Sequence, residues 1–288
     1  MKIIITLSLL GVFISPVLAA DIDPREIMQR VSNRDDGKSQ YSRSIVATCR
    51  YSTEGGKMRC TEQPRVKVLE GAQKDYGKNG KDGRSISIIL QPAAESGIGF
   101  LQYDYDDNNR DSDQWMYLSA LGKVKRLVSG NDDEPKSGTM FGSEISYEDV
   151  EKTHIDDYIY KLIKEETFQG RPCWVIEAQP KPKRARKSNY SKSVQWIDKE
   201  RLLFLQGQIY DRTGRPVKQI ISSNVENING IWVARQLNVN NVQTQRISTM
   251  KIEKIVLNPQ IEDALFTQRT LTDGAYREKQ LLELRKGL

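Results

Sequence analysis

The sequence predicts a mainly β protein: one antiparallel sheet of about eleven strands, curled around an N-terminal helix and short lid helices. Three observations carry this expectation. From Tyr41 onward apolar side chains recur at every second position, as in Ile86, Ile88 and Leu90 or Trp174, Ile176 and Ala178. Leu203, Leu205 and Ile209 repeat the pattern, as do Ile231, Val233, Leu237 and Val239. Turn signals separate the runs at Gly55-Gly56, Asp82-Gly83, Asp211 to Gly214 and Asn229-Gly230, and tight hairpins join antiparallel neighbours. A sheet of that many strands accumulates twist and curls, which leaves a concave interior.

Taken in order, Met1-Lys2 precedes an apolar run from Ile3 to Val17 that ends in Leu18-Ala19-Ala20. A charged start, an apolar core and small residues predict a secretory signal peptide over residues 1–20. The run is shorter than the roughly 20 apolar residues needed to cross a bilayer. No cysteine follows the cleavage site, so no acceptor for an N-terminal lipid is expected, and export points to a bacterial periplasm. Residues 21–271 are expected to form the sheet domain and 272–288 a helical tail.

Asp23-Pro24-Arg25-Glu26 supplies an N-cap, a proline at the first helical position and an early acid, which predicts a helix from Pro24 to about Val31. Cys49 and Cys60 flank Thr53-Glu54-Gly55-Gly56, so the spacing favours a cross-strand disulfide; two reduced thiols are the alternative. Cys173, in an apolar strand, reads as a buried core thiol. Short helices are expected near 147–151 and 261–266. Tyr276 to Lys286 reads as an amphipathic helix, either docked or frayed.

The chain has no catalytic grammar. His154 is the single histidine and sits in a solvated run, so a Ser-His-Asp triad or a His-based metal site would rest on it alone. Asp104, Asp106, Asp107, Asp111 and Asp113 crowd one loop, yet calcium-loop spacing fails. With Asp104 at position one, Asn109 stands where glycine is needed and Trp115 where a bidentate Glu belongs. No metal and no cofactor are expected. Lys181, Lys183, Arg184, Arg186, Lys187 and Lys192 form a basic stretch around Pro180 and Pro182. It is expected to be an extended, solvated arm that docks on an anionic membrane or an acidic partner, with no nucleic acid involved.

Residues 115–149 are the most informative segment. Trp115-Met116-Tyr117-Leu118 leads through Lys123-Val124-Lys125-Arg126-Leu127 to Met140-Phe141-Gly142-Ser143-Glu144-Ile145-Ser146-Tyr147-Glu148-Asp149. Downstream follow Tyr190-Ser191-Lys192, Trp196-Ile197-Asp198, Tyr210-Asp211 with Gly214 and Lys218, Gly230 with Trp232, and Phe266-Thr267 with Leu271. This ordered series resembles the outer-membrane lipoprotein-sorting (LolA-like) family over roughly residues 22–271. Two positions depart from the family pattern: Ser119 stands where proline is usual, and Glu144 where the Gly-Ser turn usually carries Asp.

The resemblance implies an incompletely closed β-barrel with helices over its opening, a non-enzymatic carrier of lipid or lipoprotein acyl chains, and delivery to the outer membrane. It also implies an inner-membrane exporter as partner, either multidrug-efflux-like or a lipoprotein-releasing complex, and peripheral contact with membranes. The rival is a ligand-sensing module of the same fold acting on a membrane protein, with a lipid hydrolase a distant third. The cavity is expected to draw on Ile86, Ile88, Leu90, Trp115, Tyr117, Trp174, Ile176, Trp196 and Trp232, which combine alternation with bulk. Strand period alone leaves the inward face open, because a slip of one residue reverses it.

Overall fold

The computed structural model describes residues 22–127 and 134–287; the expected signal peptide lies outside them. Helix α1 (Pro24–Ser32) opens the described chain, with Asp23 Oδ1 accepting from the Arg25 amide at 2.9 Å. The first half of the sheet is β1 (Ser39–Glu54), β2 (Lys57–Cys60), β3 (Arg65–Tyr76), β4 (Asp82–Gln91), β5 (Gly99–Asp104), β6 (Asp113–Leu118) and β7 (Lys123–Leu127). The second half is β8 (Tyr158–Phe168), β9 (Arg171–Pro180), β10 (Tyr190–Asp198), β11 (Phe204–Asp211), β12 (Pro216–Ile228), β13 (Ile231–Asn241) and β14 (Arg246–Leu257). A six-residue helix α2 (Pro182–Lys187) bridges β9 and β10, and α3 (Gln268–Thr272) and α4 (Gly274–Lys286) follow the sheet.

The fourteen strands of the described residues join one antiparallel sheet in the order β7-β6-β5-β4-β3-β1-β14-β13-β12-β11-β10-β9-β8, with β2 paired to the protruding end of β1. The expectation of about eleven strands is thus corrected to fourteen. The additional strands come from mostly polar runs, such as Lys57–Cys60, in which apolar periodicity has nothing to mark. Two meanders meet where β1 pairs with β14 from Gln40↔Leu257 to Arg50↔Arg246. The edges β7 and β8 are not paired with each other, so the fold is an incompletely closed barrel. No described helix is long and apolar enough to cross a membrane.

The β1–β2 turn uses Gly55 (φ 57°) and Gly56 (φ 76°) between the paired Glu54 and Lys57. Positive φ at both central residues matches a turn twisted like its strands. That register puts Cys60 opposite Tyr51, and the disulfide runs diagonally from Cys60 to Cys49 with Cα atoms 5.8 Å apart. Cys173 is a free, buried thiol, pushed up by burial. Residues 147–150 form turns, not a helix, while the short helix expected near 261–266 is present as a 3-10 helix, Asp263–Leu265. The amides of Asp149, Glu151, Leu265 and Phe266 reach carbonyls three residues back, the spacing of a tight turn or a 3-10 helix.

The two faces of the sheet are covered differently. On the outer face, Tyr41, Ala72, Ile86, Ile88 and Leu101 form one cluster with Phe266, Leu271, Leu281 and Leu284 of the C-terminal segment. Gly99 permits this approach: a Cβ there would stand 2.6 Å from Ile88 Cδ1 and 2.7 Å from Leu271 Cδ2. Arg285 of α4 grips buried Glu70 through two 2.7 Å bonds, and Tyr41 donates its hydroxyl to the same carboxylate. The tail is therefore a docked helix. On the inner face, Ile27 and Met28 of α1 pack on Trp174, Ile176 and Ile197.

Candidate ligand cavity

The chain between β7 and β8 organises the inner side of the sheet. Phe141 packs into a cluster with Val46, Leu69, Ile89, Phe100 and Met116. Tyr147 stacks on Phe100 with ring centroids 5.9 Å apart. The acidic side chains of the Gly-Ser-Glu-Ile-Ser-Tyr-Glu-Asp segment reach different elements of the fold. Glu144 accepts from Arg246 Nε at 2.6 Å and Asn241 Nδ2 at 3.0 Å, while its amide donates to Ser248 Oγ at 2.8 Å. Asp149 accepts from Lys218 Nζ at 2.5 Å and from the Tyr190 hydroxyl at 2.7 Å. Glu148 accepts from Arg184, Ser188 and both nitrogens of Asn189. Glu151 binds Arg184 at 3.2 Å and Lys136 at 2.8 Å. From below, Gln102 and Gln114 donate to the carbonyls of Val150 and Tyr147.

These bonds make residues 140–151 a strap across the open barrel, tied to β5, β6, β10, β12, β13, β14 and α2. Pairing is what permits carboxylates to be buried here, since an isolated buried charge is strongly disfavoured. Burial, then the neighbouring Asp149 carboxylate, pushes the Tyr190 hydroxyl well above its ordinary value, so it remains a donor. Burial works against the charge on Arg184, but Tyr158, Glu148 and Glu151 outweigh it and hold its pKa up.

Between strap, α1 and sheet lies a cavity of about 1630 Å³. One wall is apolar and comes from β11 to β14: Ile209, Ile220, Leu237, Val239, Met250 and Ile252. The opposite floor, on β1, β3 and β4, carries Gln40, Ser42, Ser44, Gln73, Ser85 and Ser87. Their small or polar side chains, with Gly71 between Ser42 and Ser87 in register, leave the space unfilled. At the mouth, burial and the nearby Asp36 push Asp75 up to about 6, against the pull of Lys152 and Lys81. Because the folded pKa exceeds the unfolded value, this group favours folding at low pH, and that contribution is lost as pH rises from about 4 through about 6. Melting temperatures between pH 4 and 7 are expected to show a downward contribution that Asp75→Asn removes; an unchanged profile in the variant contradicts the assignment.

The nine residues expected to line a cavity are placed mostly elsewhere. Ile86 borders it, but from within the outer cluster under α3 and α4, where Ile88 is also buried. Trp115 and Tyr117 pack against that same outer cluster. Trp174 and Ile176 face inward but are covered by α1. Trp196 belongs to the outer cluster of Cys173, Val175, Leu203 and Leu205, with Trp232 packed beside it under the Arg201 guanidinium. Leu90 is half-buried and outside the cavity lining. For β3 to β6 the reason is that the C-terminal helices give their outer face an apolar cover, so bulk marks that face and serines mark the inner one; on β9 the bulky inward residues are taken up by α1. Hydrophobic alternation carries no signal for an inward face made of Ser and Gln; the inward positions Ile209, Leu237 and Val239 are visible that way.

The basic stretch is corrected as well. It forms α2, not an extended arm, and its cations find partners within the chain. Lys183 donates to Asn109 at 2.8 Å, Lys187 pairs with Asp111 at 2.6 Å, and Arg184 holds Glu148 and Glu151. Lys192, on β10, pairs with Glu177 at 2.7 Å. The aspartate-rich loop supplies part of that partnership through Asn109 and Asp111, and its other carboxylates are bonded elsewhere: Asp113 binds Arg126, Asp106 binds Lys152 and Asp104 accepts from Ser112. No described group of three or more His, Cys, Asp or Glu side chains could hold a metal ion.

A family model described only as an uncharacterized protein matches residues 81–273. A DUF1329 family protein from Desulfovibrio piger superposes with a TM-score of 0.75 at 28% identity, covering 87% of this chain and 100% of that one. A domain assigned as an outer membrane lipoprotein-sorting protein from Vibrio parahaemolyticus gives 0.74 at 25% identity, covering 86% and 98%. A LolA superfamily protein from Nitrosomonas europaea shares the fold at 0.61 and 16% identity, covering 85% and 98%. No curated protein matches the chain. The strap, the half-closed sheet and these likenesses converge: the chain belongs to this uncharacterized family, and the family is LolA-like.

Proposed function

We propose that the protein is a periplasmic carrier that holds the acyl chains of a lipid or lipoprotein in the strapped cavity and moves them toward the outer membrane. The carrying observation is the cavity itself, about 1630 Å³ with one continuous apolar wall. It exceeds the roughly 300–1,000 Å³ typical of small-molecule sites. Each methylene withdrawn from water contributes about 0.8 kcal/mol, so a long chain supplies on the order of 10 kcal/mol with no bond broken. Such a ligand needs shelter and release, not catalysis. An inner-membrane exporter, multidrug-efflux-like or lipoprotein-releasing, is the donor this reading calls for, and the lipoprotein-sorting assignment of the Vibrio parahaemolyticus relative supports it.

A fluorescent fatty-acid probe is expected to bind the purified protein, and Leu237→Asp, which places an uncompensated carboxylate on the apolar wall, to weaken binding at least tenfold with an unchanged circular dichroism spectrum. A wild-type protein that binds no probe, or a folded variant that binds equally, defeats the reading. Docking to an anionic membrane falls to the exposed cations of the α2 region, Lys181 and Lys183 among them. Neutralising Lys181, Lys183 and Lys187 is expected to weaken association with anionic vesicles at low salt but not when the Debye length falls to about 3 Å near 1 M salt. Uptake of detergent-solubilised lipid is expected to persist; its loss would assign these cations to the cargo site.

A further inference from the structure

The cavity has two chemically distinct halves, and this restricts what can occupy it. On the floor, sheet register aligns Gln40, Gln73 and Ser85 in one row and Ser42, Gly71 and Ser87 in the next. Ser44 follows in the third row, paired with Leu69. All border the cavity. Among the described residues no side-chain hydrogen bond is made by Gln40, Ser42, Ser44, Gln73, Ser85 or Ser87, and Ser44 is only 8% exposed. Gln73 is exposed and Gln40, Ser42, Ser85 and Ser87 are half-buried, so their polar atoms stay open to the cavity. Their neighbours in the same sheet are committed instead: Gln102 and Gln114 bond each other at 2.8 Å and hold the strap. The floor thus presents six polar side chains to one space with their hydrogen-bonding capacity uncommitted. None of the six is charged, and each offers both donor and acceptor.

Resting on the acyl-carrier reading, we propose that the cargo is an amphiphile with an uncharged, hydroxyl- or ester-bearing polar group, such as a glycerol ester, seated on this serine–glutamine floor while its chain lies against the β11–β14 wall. A carboxylate on this floor would find no uncommitted cation beside it: Lys67, Lys74 and Lys192, which border the cavity, are held by Glu95, Asp263 and Glu177, and desolvating an unpaired charge is costly. The mouth carries both signs, Asp36 and Asp75 with Lys81 and Lys152, so it does not select an anion either. A neutral headgroup loses less on leaving water and recovers its hydrogen bonds from the floor.

The test is competition against the fluorescent fatty-acid probe by 1-monooleoylglycerol and by oleate, which share one chain and differ in the polar group. Monooleoylglycerol is expected to compete at least tenfold better. The triple variant Gln73→Leu/Ser85→Ala/Ser87→Ala, and the near-isosteric Gln73→Met alone should the triple variant not fold, are expected to move that ratio toward one while oleate affinity changes less than threefold. Equal competition in the wild type, or a preference that survives both variants, overturns the proposal and leaves the acyl-carrier reading standing. If neither amphiphile displaces the probe, or the probe itself does not bind, the carrier reading fails with it.

Discussion

Ending the chain at Asp273 is expected to abolish stable folding. That truncation removes α4, and with it buried Leu281 and Leu284 and the paired guanidinium of Arg285 on Glu70. Each leucine is worth about 1.5–3 kcal/mol of burial, and stranding a buried carboxylate costs about 3 kcal/mol more. The combined loss, on the order of 8 kcal/mol, is comparable to the roughly 5–15 kcal/mol by which domains are stable. It also opens one side of the apolar cluster of Tyr41, Ile86, Ile88 and Leu101, leaving Phe266 and Leu271 as its cover, and exposed apolar surface promotes aggregation. Arg285→Met isolates the electrostatic part and is expected to cost about 3 kcal/mol, with partial recovery in Arg285→Met/Glu70→Gln. Thermal unfolding of the three proteins measures this. A truncated chain that melts with the full-length protein would mean the helix contributes nothing to the sheet.

The second large effect concerns the strap. Lys218→Met removes the cation that faces Asp149 across 2.5 Å, with side chains 6% and 11% exposed. Asp149 then keeps the Tyr190 hydroxyl, whose own pKa is raised by burial and by that carboxylate, but no countercharge among the described residues. Breaking a buried pair costs about 3–5 kcal/mol, or roughly 6–20 °C in melting temperature for a domain of this size. The loss is expected to be local as well as global: amides of residues 144–151 should exchange faster with solvent, because the strap loses its attachment to β12. Asp149→Asn in the same background should restore part of the stability by removing the stranded charge. Unchanged exchange across the strap in Lys218→Met would show that β13, β14 and α2 hold it without this pair.

Much of the architecture is legible in the order of residues alone. The α1 start at Pro24 follows from Asp23 as N-cap and proline at the first position. The hairpin at Gly55-Gly56 follows from two adjacent residues that tolerate positive φ. The segment from Met140 to Asp149 marks the functional region, but its role as an ion-paired strap does not show in its own residues. Glu144, Glu148 and Asp149 find their partners at Arg246, Arg184 and Lys218, from 36 to 102 residues away. Nothing local specifies such pairings. The basic run Lys181–Lys187 misleads for the same reason, since the carboxylates that bind it lie on other elements.

The sequence by itself determined the local alphabet: where strands alternate, where turns reverse the chain and where a helix begins. Tertiary structure alone decided which face of each strand looks into the cavity. A period of two is symmetric between faces, and bulk breaks that symmetry only when one face is solvated. Here both faces are covered, the outer by α3 and α4 and the inner by α1 and the strap. Ile86 and Ile88 therefore went to the covered outer face, and Ser85 and Ser87 were left to line the space where a ligand can sit.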